Sequence, residues 1–419
     1  MDKLIIDGPN ELKGKIKVSS SKNASLPILA ASILFPHKVC YKELPHLSDI
    51  KFFTQILESL GAKITGDLED LCIDSSCLDK TYADYELVRK MRASILVLGP
   101  LLSRFGKAKV SLPGGCAIGS RPVDIHLSGL EKMGAKIEID AGYVNAKTNR
   151  LKGATLNLAF PSVGATENLM MAAVWAEGET VIENAAKEPE IVDLANFLKQ
   201  YGTEIKGEGT SRIKITGRKF SDYQALSVDK YKIIGDRIEA ATYVIAGLMS
   251  NSHIEVCNFN PEHIHDVITT LSYMGAKLKV NKDKVEVLPS GRLKGTTVDT
   301  APYPGFPTDV QAQIMALMGI SEGVSIISEH IFENRFMHVP ELVRMGMKVS
   351  LDWHTAKIEG VNKLSPAPVM CTDLRASAAL VLSALVAHGE THISRIYHLD
   401  RGYDNLAKKL ESLGAKIKR

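Results

Sequence analysis

The apolar and polar positions of the chain repeat one pattern six times. In each copy an amphipathic segment with helical spacing ends at a glycine, and the residues after that glycine alternate between apolar and polar as a strand does. The glycines lie roughly 70 residues apart, at Gly61, Gly134, Gly202, Gly275, Gly346 and Gly414. Because glycine suits the left-handed position that ends a helix, the pattern predicts six helix–turn–strand units.

Each copy also contains a second segment of helical length that is almost wholly apolar. These segments cover residues 26–34, 94–102, 169–175, 240–249, 314–320 and 376–387. A helix that is apolar on every side belongs in the interior of a domain. The sequence therefore predicts an α/β fold in which buried helices are packed inside sheets.

The number of repeats and the chain length together predict two domains. A chain of 419 residues is too long for one ordinary core. Six units divide most simply as three plus three, with the loop-rich passage 206–231 between the third and fourth units. We expect the two domains to face each other across a cleft, which is where ligands prefer to bind.

Composition excludes several classes of protein. The net charge is +3, from 51 basic and 48 acidic residues, and gives no case for a nucleic-acid-binding surface. Since no signal segment precedes Leu4 and no apolar run approaches the length of a membrane span, we expect a cytoplasmic protein without a membrane partner. The six cysteines show no zinc-site spacing, and we expect them all to be reduced thiols; they are Cys40, Cys72, Cys77, Cys116, Cys257 and Cys371.

The polar residues just before the buried helices differ from one unit to the next. Asp236, Asp309 and Asp373 have a purely structural interpretation as helix caps. Caps do not account for cations at Lys22, Arg92 and Arg375, because a cation at a helix N-terminus opposes the helix dipole. A bound anion would offset that cost, so these flanks predict a phosphate or carboxylate ligand.

One loop, residues 112–125, combines a cysteine with turn-forming residues and an arginine. Its glycines and proline favour a solvent-reachable turn around Cys116. Arg121 follows, and Pro122 and Asp124 are typical of the start of a helix. A thiol beside a guanidinium and a helix N-terminus is biased toward thiolate. The alternative is a hairpin with a small buried cysteine.

In combination, these motifs resemble the UDP-N-acetylglucosamine 1-carboxyvinyltransferase family of enolpyruvyl transferases. The resemblance covers the whole chain. It rests on Lys22-Asn23, Met91–Ser94, the Pro113–Asp124 loop, Ser162–Thr166, Pro304–Asp309, Glu333–His338, Asp373–Ser377 and Asp400–Tyr403, in addition to the repeat.

The resemblance implies a fold, a domain division and an activity. The fold is a two-domain inside-out α/β barrel of six repeated units, three per domain. Residues 1–21 and 232–419 would form the first domain, and residues 22–231 the second. The activity is transfer of enolpyruvyl from phosphoenolpyruvate to the 3′-hydroxyl of UDP-N-acetylglucosamine, which opens peptidoglycan precursor synthesis. Phosphate is released, and no metal or other cofactor is required.

The resemblance also implies roles for individual residues. Cys116 would protonate the enol carbon and Asp309 would accept the proton of the sugar hydroxyl. Lys22, Arg121, Arg375 and Arg401 would hold phosphate and carboxylate charge, with Arg92 and Arg335 nearby. We assign catalysis to Cys116, Asp309, Lys22 and Arg401. The substrate-binding set adds Asn23, Arg92, Arg121, Pro122, Val123, Asp124, Ile125, Phe160, Pro161, Ser162, Val163, Gly164, Ile331, Arg335, Asp373 and Arg375.

Several of these assignments have an alternative. Arg335 and Asp373 also fit a buried ion pair, and Asp236, Arg237 and Glu239 favour a structural role at the second crossing between domains. Phe160 stands where other family members carry a basic residue, so its ring either packs against the uracil or makes no such contact. At the level of function, the alternatives are the shikimate-pathway enolpyruvyl transferase, which lacks the cysteine loop, and a silent nucleotide-sugar sensor. The sequence does not indicate an oligomeric state.

Overall fold

The computed structural model describes residues 3–83, 85–88, 91–112, 123–223 and 228–419. Packing divides them into two compact units. One comprises the chain up to Ser19 together with Gly235–Arg419, and the other lies between Ser20 and Ile234. The division proposed from sequence had its boundaries after residues 21 and 231.

Short strands make up much of both units. In chain order they are β1 (Lys3–Gly8), β2 (Lys13–Lys17), β3 (Lys38–Lys42), β4 (Lys63–Thr65), β5 (Asp70–Asp74), β6 (Tyr82–Ala83), β7 (Lys107–Ser111), β8 (Lys136–Asp140), β9 (Tyr143–Lys147), β10 (Thr155–Asn157), β11 (Glu179–Glu183), β12 (Glu204–Lys206), β13 (Arg212–Thr216), β14 (Tyr231–Lys232), β15 (His253–Cys257), β16 (Lys277–Val280), β17 (Lys284–Leu288), β18 (Thr297–Asp299), β19 (Val324–Ser328), β20 (Lys348–Asp352), β21 (Thr355–Glu359), β22 (Pro368–Met370), β23 (Gly389–Ser394) and β24 (Ile417–Lys418).

Among the described residues these strands form six four-stranded sheets, and all six are built alike. Their strand orders are β14-β3-β5-β4, β6-β7-β9-β8, β10-β11-β13-β12, β16-β17-β15-β2, β18-β19-β21-β20 and β22-β23-β1-β24. In each sheet one outer pair is parallel and the other two pairs are antiparallel. Three sheets belong to each unit, which confirms the predicted α/β fold of six repeats, three per domain.

Apart from one additional four-residue helix, Tyr85–Val88, the described helices alternate between the two predicted kinds. They are α1 (Lys22–Ala31), α2 (Ser48–Ser59), α3 (Tyr85–Val88), α4 (Leu98–Phe105), α5 (Asp124–Lys132), α6 (Val163–Ala173), α7 (Pro189–Gln200), α8 (Arg237–Met249), α9 (His265–Tyr273), α10 (Gln311–Met318), α11 (Val339–Arg344), α12 (Leu374–Val386) and α13 (Leu406–Ser412). Short 3₁₀ segments lie at Ser32–Leu34, Arg92–Val97, Phe220–Asp222, Pro261–Ile264, Thr308–Val310 and Ile396–Arg401.

The six repeated glycines follow the amphipathic helices as predicted. All six have positive φ angles, between 83° and 105°, which is the conformation that a helix-ending glycine adopts more readily than other residues. The apolar helices are α1, α4 and α6 in one unit and α8, α10 and α12 in the other, and most of their residues are buried. Most of them begin earlier than their apolar run, because the polar flanking residues form the first helical turn.

Each unit encloses its own hydrophobic core around its three apolar helices. The N-terminal strand β1 belongs to the core of the C-terminal unit, where Leu4 and Ile6 are fully buried. It pairs with β23 on one side and with β24 on the other. The first residues of the chain therefore complete the unit formed by the last.

The expectation of six reduced cysteines was wrong for one pair. Cys40 and Cys72 are directly opposite each other on the antiparallel strands β3 and β5, and they form a disulfide. Sequence spacing did not indicate this pair, because strand pairing brings the two residues together across a separation of 32 positions. Among the described residues Cys77, Cys257 and Cys371 are free thiols.

Neither a membrane-spanning helix nor a metal-binding cluster occurs within the described ranges. Every helix there is too short or too polar to cross a bilayer. The same ranges contain no group of three or more histidine, cysteine or acidic side chains arranged to hold a metal ion.

Candidate functional site

Three of the predicted site residues meet in the C-terminal unit around the carboxylate of Asp309. Its Oδ1 accepts a hydrogen bond from Nη2 of Arg335 at 2.8 Å, and its Oδ2 accepts one from Nη2 of Arg375 at 3.1 Å. Both arginine side chains are buried, whereas 28% of the Asp309 side chain remains exposed. The cluster thus holds a carboxylate between two cations and still presents it to solvent.

Each member of this cluster is placed by the end of an element. Asp309 lies in the 3₁₀ turn Thr308–Val310 that leads into α10, and Arg375 is the second residue of α12. Arg335 comes from the segment before α11, and its guanidinium lies 5.2 Å from the ring centroid of Phe332. Burial acts to lower the pKa of Arg375, but the charge of Asp309, together with interactions with Tyr403 and Asp236, outweighs burial and raises that pKa. Arg375 is therefore a permanent cation.

Asp373 caps the helix that carries Arg375. Its Oδ1 accepts hydrogen bonds from the backbone N–H of Arg375 at 2.8 Å and of Ala376 at 3.0 Å. Nearby, His338 is fully buried. Burial lowers its pKa to about 4, with Arg335 acting in the same direction and Asp373 against it. The capping interpretation of Asp373 holds geometrically, and its role toward a substrate stays a prediction.

A buried glutamate that the sequence did not single out ties Ile331 to this site. Oε1 of Glu329 accepts hydrogen bonds from the N–H groups of Ile331 and Phe332, at 2.8 and 3.1 Å. Its Oε2 accepts the hydroxyl of Thr308, the residue before Asp309, at 2.8 Å. Glu329 therefore fixes the position of Ile331 relative to Asp309.

Arg401 is the remaining predicted cation of this unit. It ends the 3₁₀ segment Ile396–Arg401, two residues before the buried Tyr403. Burial lowers the pKa of His398, and the charge of Arg401 adds a smaller effect in the same direction.

In the other unit, the cation of Lys22 is offset by a buried carboxylate. Lys22 and Asn23 open α1, whose cap is Ser21. Nζ of Lys22 lies 2.6 Å from Oδ2 of Asp49 on α2, and the two side chains are only 12% and 2% exposed. This pair offsets the cost of a cation at a helix N-terminus without a ligand, so Lys22 by itself does not require the bound anion that we inferred from the sequence. Asp49 gave no sequence signal because it lies in an ordinary amphipathic helix.

Arg92 lies beside a buried histidine–asparagine pair. It begins the segment Arg92–Val97, and its charge adds to burial in lowering the pKa of His126 to about 4. Oδ1 of Asn168 accepts the N–H of Gly99 at 2.6 Å, so its Nδ2 donates to Nδ1 of His126 at 3.1 Å. The neutral imidazole then carries its proton on Nε2.

The Nε2 side of His126 faces the first turn of α6. A Cβ built on Gly164 would lie 3.4 Å from Cε1 and 3.6 Å from Nε2 of the imidazole. Ser162 caps this helix by accepting the N–H of Ala165, and Val163 and Gly164 form its first turn. Phe160 and Pro161 precede the cap, with Phe160 44% exposed. The first turn of α6 and His126 are therefore close neighbours.

The loop that carries the predicted acid lies largely outside the described residues. Cys116, Arg121 and Pro122 all fall within 113–122, so the proposals for them rest on sequence. Val123, Asp124 and Ile125 are described; Val123 precedes α5, whose first residues are Asp124 and Ile125.

Asp236 and Glu239 at the start of α8 make contacts that fit their structural interpretation. Asp236 caps the helix by accepting the N–H groups of Ile238 and Glu239, at 2.9 and 3.0 Å. Glu239 accepts from Nζ of Lys409 at 2.6 Å and from the N–H of Ser19 at 3.0 Å. Glu239 thus binds Ser19, the last residue of the N-terminal segment, to the unit that contains α8.

Comparison with known proteins identifies relatives over the full length of the chain. The model of the family EPSP synthase (3-phosphoshikimate 1-carboxyvinyltransferase) matches residues 6–410. The chain is 52% identical to UDP-N-acetylglucosamine 1-carboxyvinyltransferase of Geotalea uraniireducens, with coverage of 100% of this chain and 99% of that protein. It is 51% identical to the protein of the same name from Campylobacter hominis, with the same coverage.

Solved structures of two related enzymes share the fold. The enolpyruvyl transferase NikO from Streptomyces tendae has a TM-score of 0.89 and is 25% identical, over 99% of this chain and 98% of that one. EPSP synthase from Acinetobacter baumannii has a TM-score of 0.79 over 100% of both chains; at 18% identity, this likeness concerns the fold alone.

Proposed function

Because the chain belongs to the EPSP synthase family, we propose that it is an enolpyruvyl transferase whose substrates are phosphoenolpyruvate and UDP-N-acetylglucosamine. Identity of 52% over the full length to a UDP-N-acetylglucosamine 1-carboxyvinyltransferase is the observation that carries the choice of acceptor. The reaction would supply a peptidoglycan precursor, and a cytoplasmic location is part of the proposal.

The proposed reaction proceeds by addition and then elimination. The 3′-hydroxyl oxygen of the sugar bonds to C2 of the enol, its proton passes to a base, and an acid protonates C3. The C2–O bond to phosphate then breaks, phosphate leaves with the electron pair, and C3 loses a proton as the double bond forms again. Both steps need a base and an acid at fixed positions and cations around the phosphate.

We assign the base to Asp309. Its carboxylate is partly exposed, and two buried guanidinium groups fix both of its oxygens. This support fixes the orientation that proton transfer requires. Cys116 is our proposed acid, and Lys22, Arg121, Arg375 and Arg401 are the proposed phosphate and carboxylate ligands. Lys22 would then exchange or share its contact with Asp49 when phosphate arrives.

The nucleotide sugar would be held by residues of several elements. In the unit that contains Lys22, we propose Asn23, Arg92, Pro122 to Ile125 and Phe160 to Gly164. In the other unit, we propose Ile331, Arg335 and Asp373. The assignment of Phe160 to Gly164 is supported by the partly exposed cap and first turn of α6. A helix N-terminus favours anionic groups such as a diphosphate.

Phosphate release from phosphoenolpyruvate tests the proposal. We expect release with UDP-N-acetylglucosamine, none with shikimate 3-phosphate, and loss of release in Cys116→Ser. Release with shikimate 3-phosphate would overturn the choice of acceptor, and release with neither acceptor would favour a silent binding protein. Full activity of Cys116→Ser would overturn the assignment of Cys116 as the acid, but it would not affect the choice of acceptor.

A further inference from the structure

A buried glutamine lies behind the Asp309 cluster and contacts three elements of the same unit. Gln313 is on α10, one turn after Asp309, and is fully buried. Its Nε2 lies 3.0 Å from the backbone O of Asp309, 2.9 Å from the hydroxyl of Tyr403 and 3.2 Å from Oγ1 of Thr242 on α8. One amide group therefore joins the turn that carries Asp309 to α8 and to the segment after Arg401.

These hydrogen bonds have a defined direction. The hydroxyl of Thr242 donates to the backbone O of Ile238 at 2.8 Å, so its oxygen is left to accept from Tyr403 at 3.1 Å. The Tyr403 oxygen in turn accepts from the amide of Gln313. Because the backbone O of Asp309 can only accept, the amide must present its NH₂ side to this group. The chain of donors fixes both side chains in one arrangement.

Tyr403 extends this arrangement to Arg375. The Arg375 guanidinium lies 5.4 Å from the Tyr403 ring centroid, and the same guanidinium donates to Asp309. Gln313 is thus linked to Asp309 by two routes, directly through the backbone and indirectly through Tyr403 and Arg375. We infer that Gln313 is a positioning residue that orients the carboxylate of Asp309 for proton transfer through these two contacts. The inference rests on the proposed role of Asp309.

The chain offers a matched control for this role. Gln311 is on the same helix and equally buried, yet its amide nitrogen and oxygen have no hydrogen-bond partner among the described residues. Methionine has a similar length and volume but donates no hydrogen bond. Gln313→Met therefore removes the donor from Asp309 and Tyr403, whereas Gln311→Met makes the same chemical change without breaking either contact.

Steady-state phosphate release tests the inference in the full-length protein. We expect Gln313→Met to lower kcat by about ten- to a hundredfold, as small misplacements of a catalytic group do. The KM for the nucleotide sugar should change little, since a buried glutamine touches no substrate. We expect the acidic limb of the kcat–pH profile to move to higher pH, because the two cations would hold the charged carboxylate less well. Gln311→Met should behave as wild type.

The outcomes separate this inference from the function on which it rests. If Gln313→Met and Gln311→Met have equal kcat values, or if Gln313→Met lowers kcat by one constant factor at every pH, Gln313 has no positioning role. Tyr403→Phe, which deletes one hydroxyl, provides the same comparison if Gln313→Met does not fold. A wild-type protein that releases no phosphate with UDP-N-acetylglucosamine would instead overturn the proposed function, and the role of Gln313 with it.

Discussion

Single residues with buried charge fall into two groups in this protein. Arg335, Arg375 and Lys22 each lie against a carboxylate, which offsets the cost of taking a cation out of water. Glu167 is buried near Glu190 and Glu188, Asp193 is buried near Glu190, and burial raises the pKa of both carboxyls. The first group keeps its charge, whereas the carboxyls of the second group keep a proton to higher pH than they would in the unfolded chain.

Asp193 should therefore make stability depend on pH. Burial raises the pKa of Asp193 to about 6, although hydrogen bonds from the Tyr231 hydroxyl and the Ile234 N–H act to lower it. An unfolded aspartate has a pKa near about 3.9, so the folded chain binds more protons between the two values. Its contribution to the free energy of unfolding is complete below pH ~4 and is lost as the pH rises to about 6, by about 1.4 kcal/mol per pH unit.

Urea denaturation at pH 4 and pH 6 checks this prediction. Asp193→Asn lacks the titrating group, so its free energy of unfolding should fall less over this interval than that of wild type. Asp222→Asn, an exposed substitution in the same unit, is the control and should follow wild type. Equal pH dependence in all three proteins would contradict the prediction.

The ion pair of Lys22 and Asp49 makes a second prediction at this scale. Lys22→Met would leave the carboxylate of Asp49 buried without this cation, and loss of one partner of such a pair costs about 3–5 kcal/mol. The double variant Lys22→Met, Asp49→Leu should recover part of that loss, because no buried charge is left behind. Chemical denaturation of both variants measures the difference; a double variant less stable than Lys22→Met would contradict it.

At the scale of elements, helix caps decide where the site residues lie. Asp373 accepts two backbone N–H groups at the start of α12, and the second residue of that helix is Arg375. Asp373→Ala should lower the free energy of unfolding by about 1 kcal/mol, whereas Asp373→Ser should retain the cap and most of the stability.

The same two variants separate capping from substrate binding. If Asp373 acts only as a cap, Asp373→Ser should have the kcat and KM of wild type. If its charge also contacts the sugar nucleotide, Asp373→Ser should be stable but have a raised KM. Thermal melting together with phosphate-release kinetics distinguishes these cases, and an Asp373→Ala variant as stable as wild type would show that the cap contributes nothing.

The boundaries of the buried helices show the limit of pattern reasoning for elements. The six glycines located the ends of the amphipathic helices, because positive φ is a local demand of the backbone. The starts of the apolar helices were placed too late in several units. For example, α8 begins at Arg237, since the Asp236 cap and its two N–H bonds extend the helix beyond the apolar run.

At the scale of the whole molecule, the two units differ in how the chain encloses them. Each has its own core, but residues 20–234 are contiguous, whereas the other unit needs the N-terminal strand β1 between β23 and β24. We expect a fragment of residues 20–234 to unfold cooperatively. A fragment of residues 235–419 should not fold, because it lacks β1. This strand supplies Leu4 and Ile6 to the core and pairs with both β23 and β24.

Circular dichroism and urea unfolding of the two fragments check this prediction. Adding back residues 1–19 through a short linker to the C-terminal fragment is the matched control and should restore a cooperative transition. A C-terminal fragment that folds equally well without these residues would show that β1 is dispensable.

The sequence by itself determined the repeat, the α/β class, the helix-ending glycines and the family. These properties depend on local periodicity and backbone preference, and each copy of the unit shows the same pattern. The resemblance also supplied the acidic and basic residue types of the candidate site, including Asp309, Arg335 and Arg375.

Only the tertiary structure decided the partners. It pairs Lys22 with Asp49, Cys40 with Cys72, and Asp309 with two arginines at once, across separations of 27, 32, 26 and 66 positions. It also makes Gln313, one of two glutamines in an otherwise apolar helix, a contact among three elements. The physical reason is that ion pairs, disulfides and hydrogen bonds form only between groups that are a few ångströms apart in space. The separation of two residues along the chain does not determine that distance.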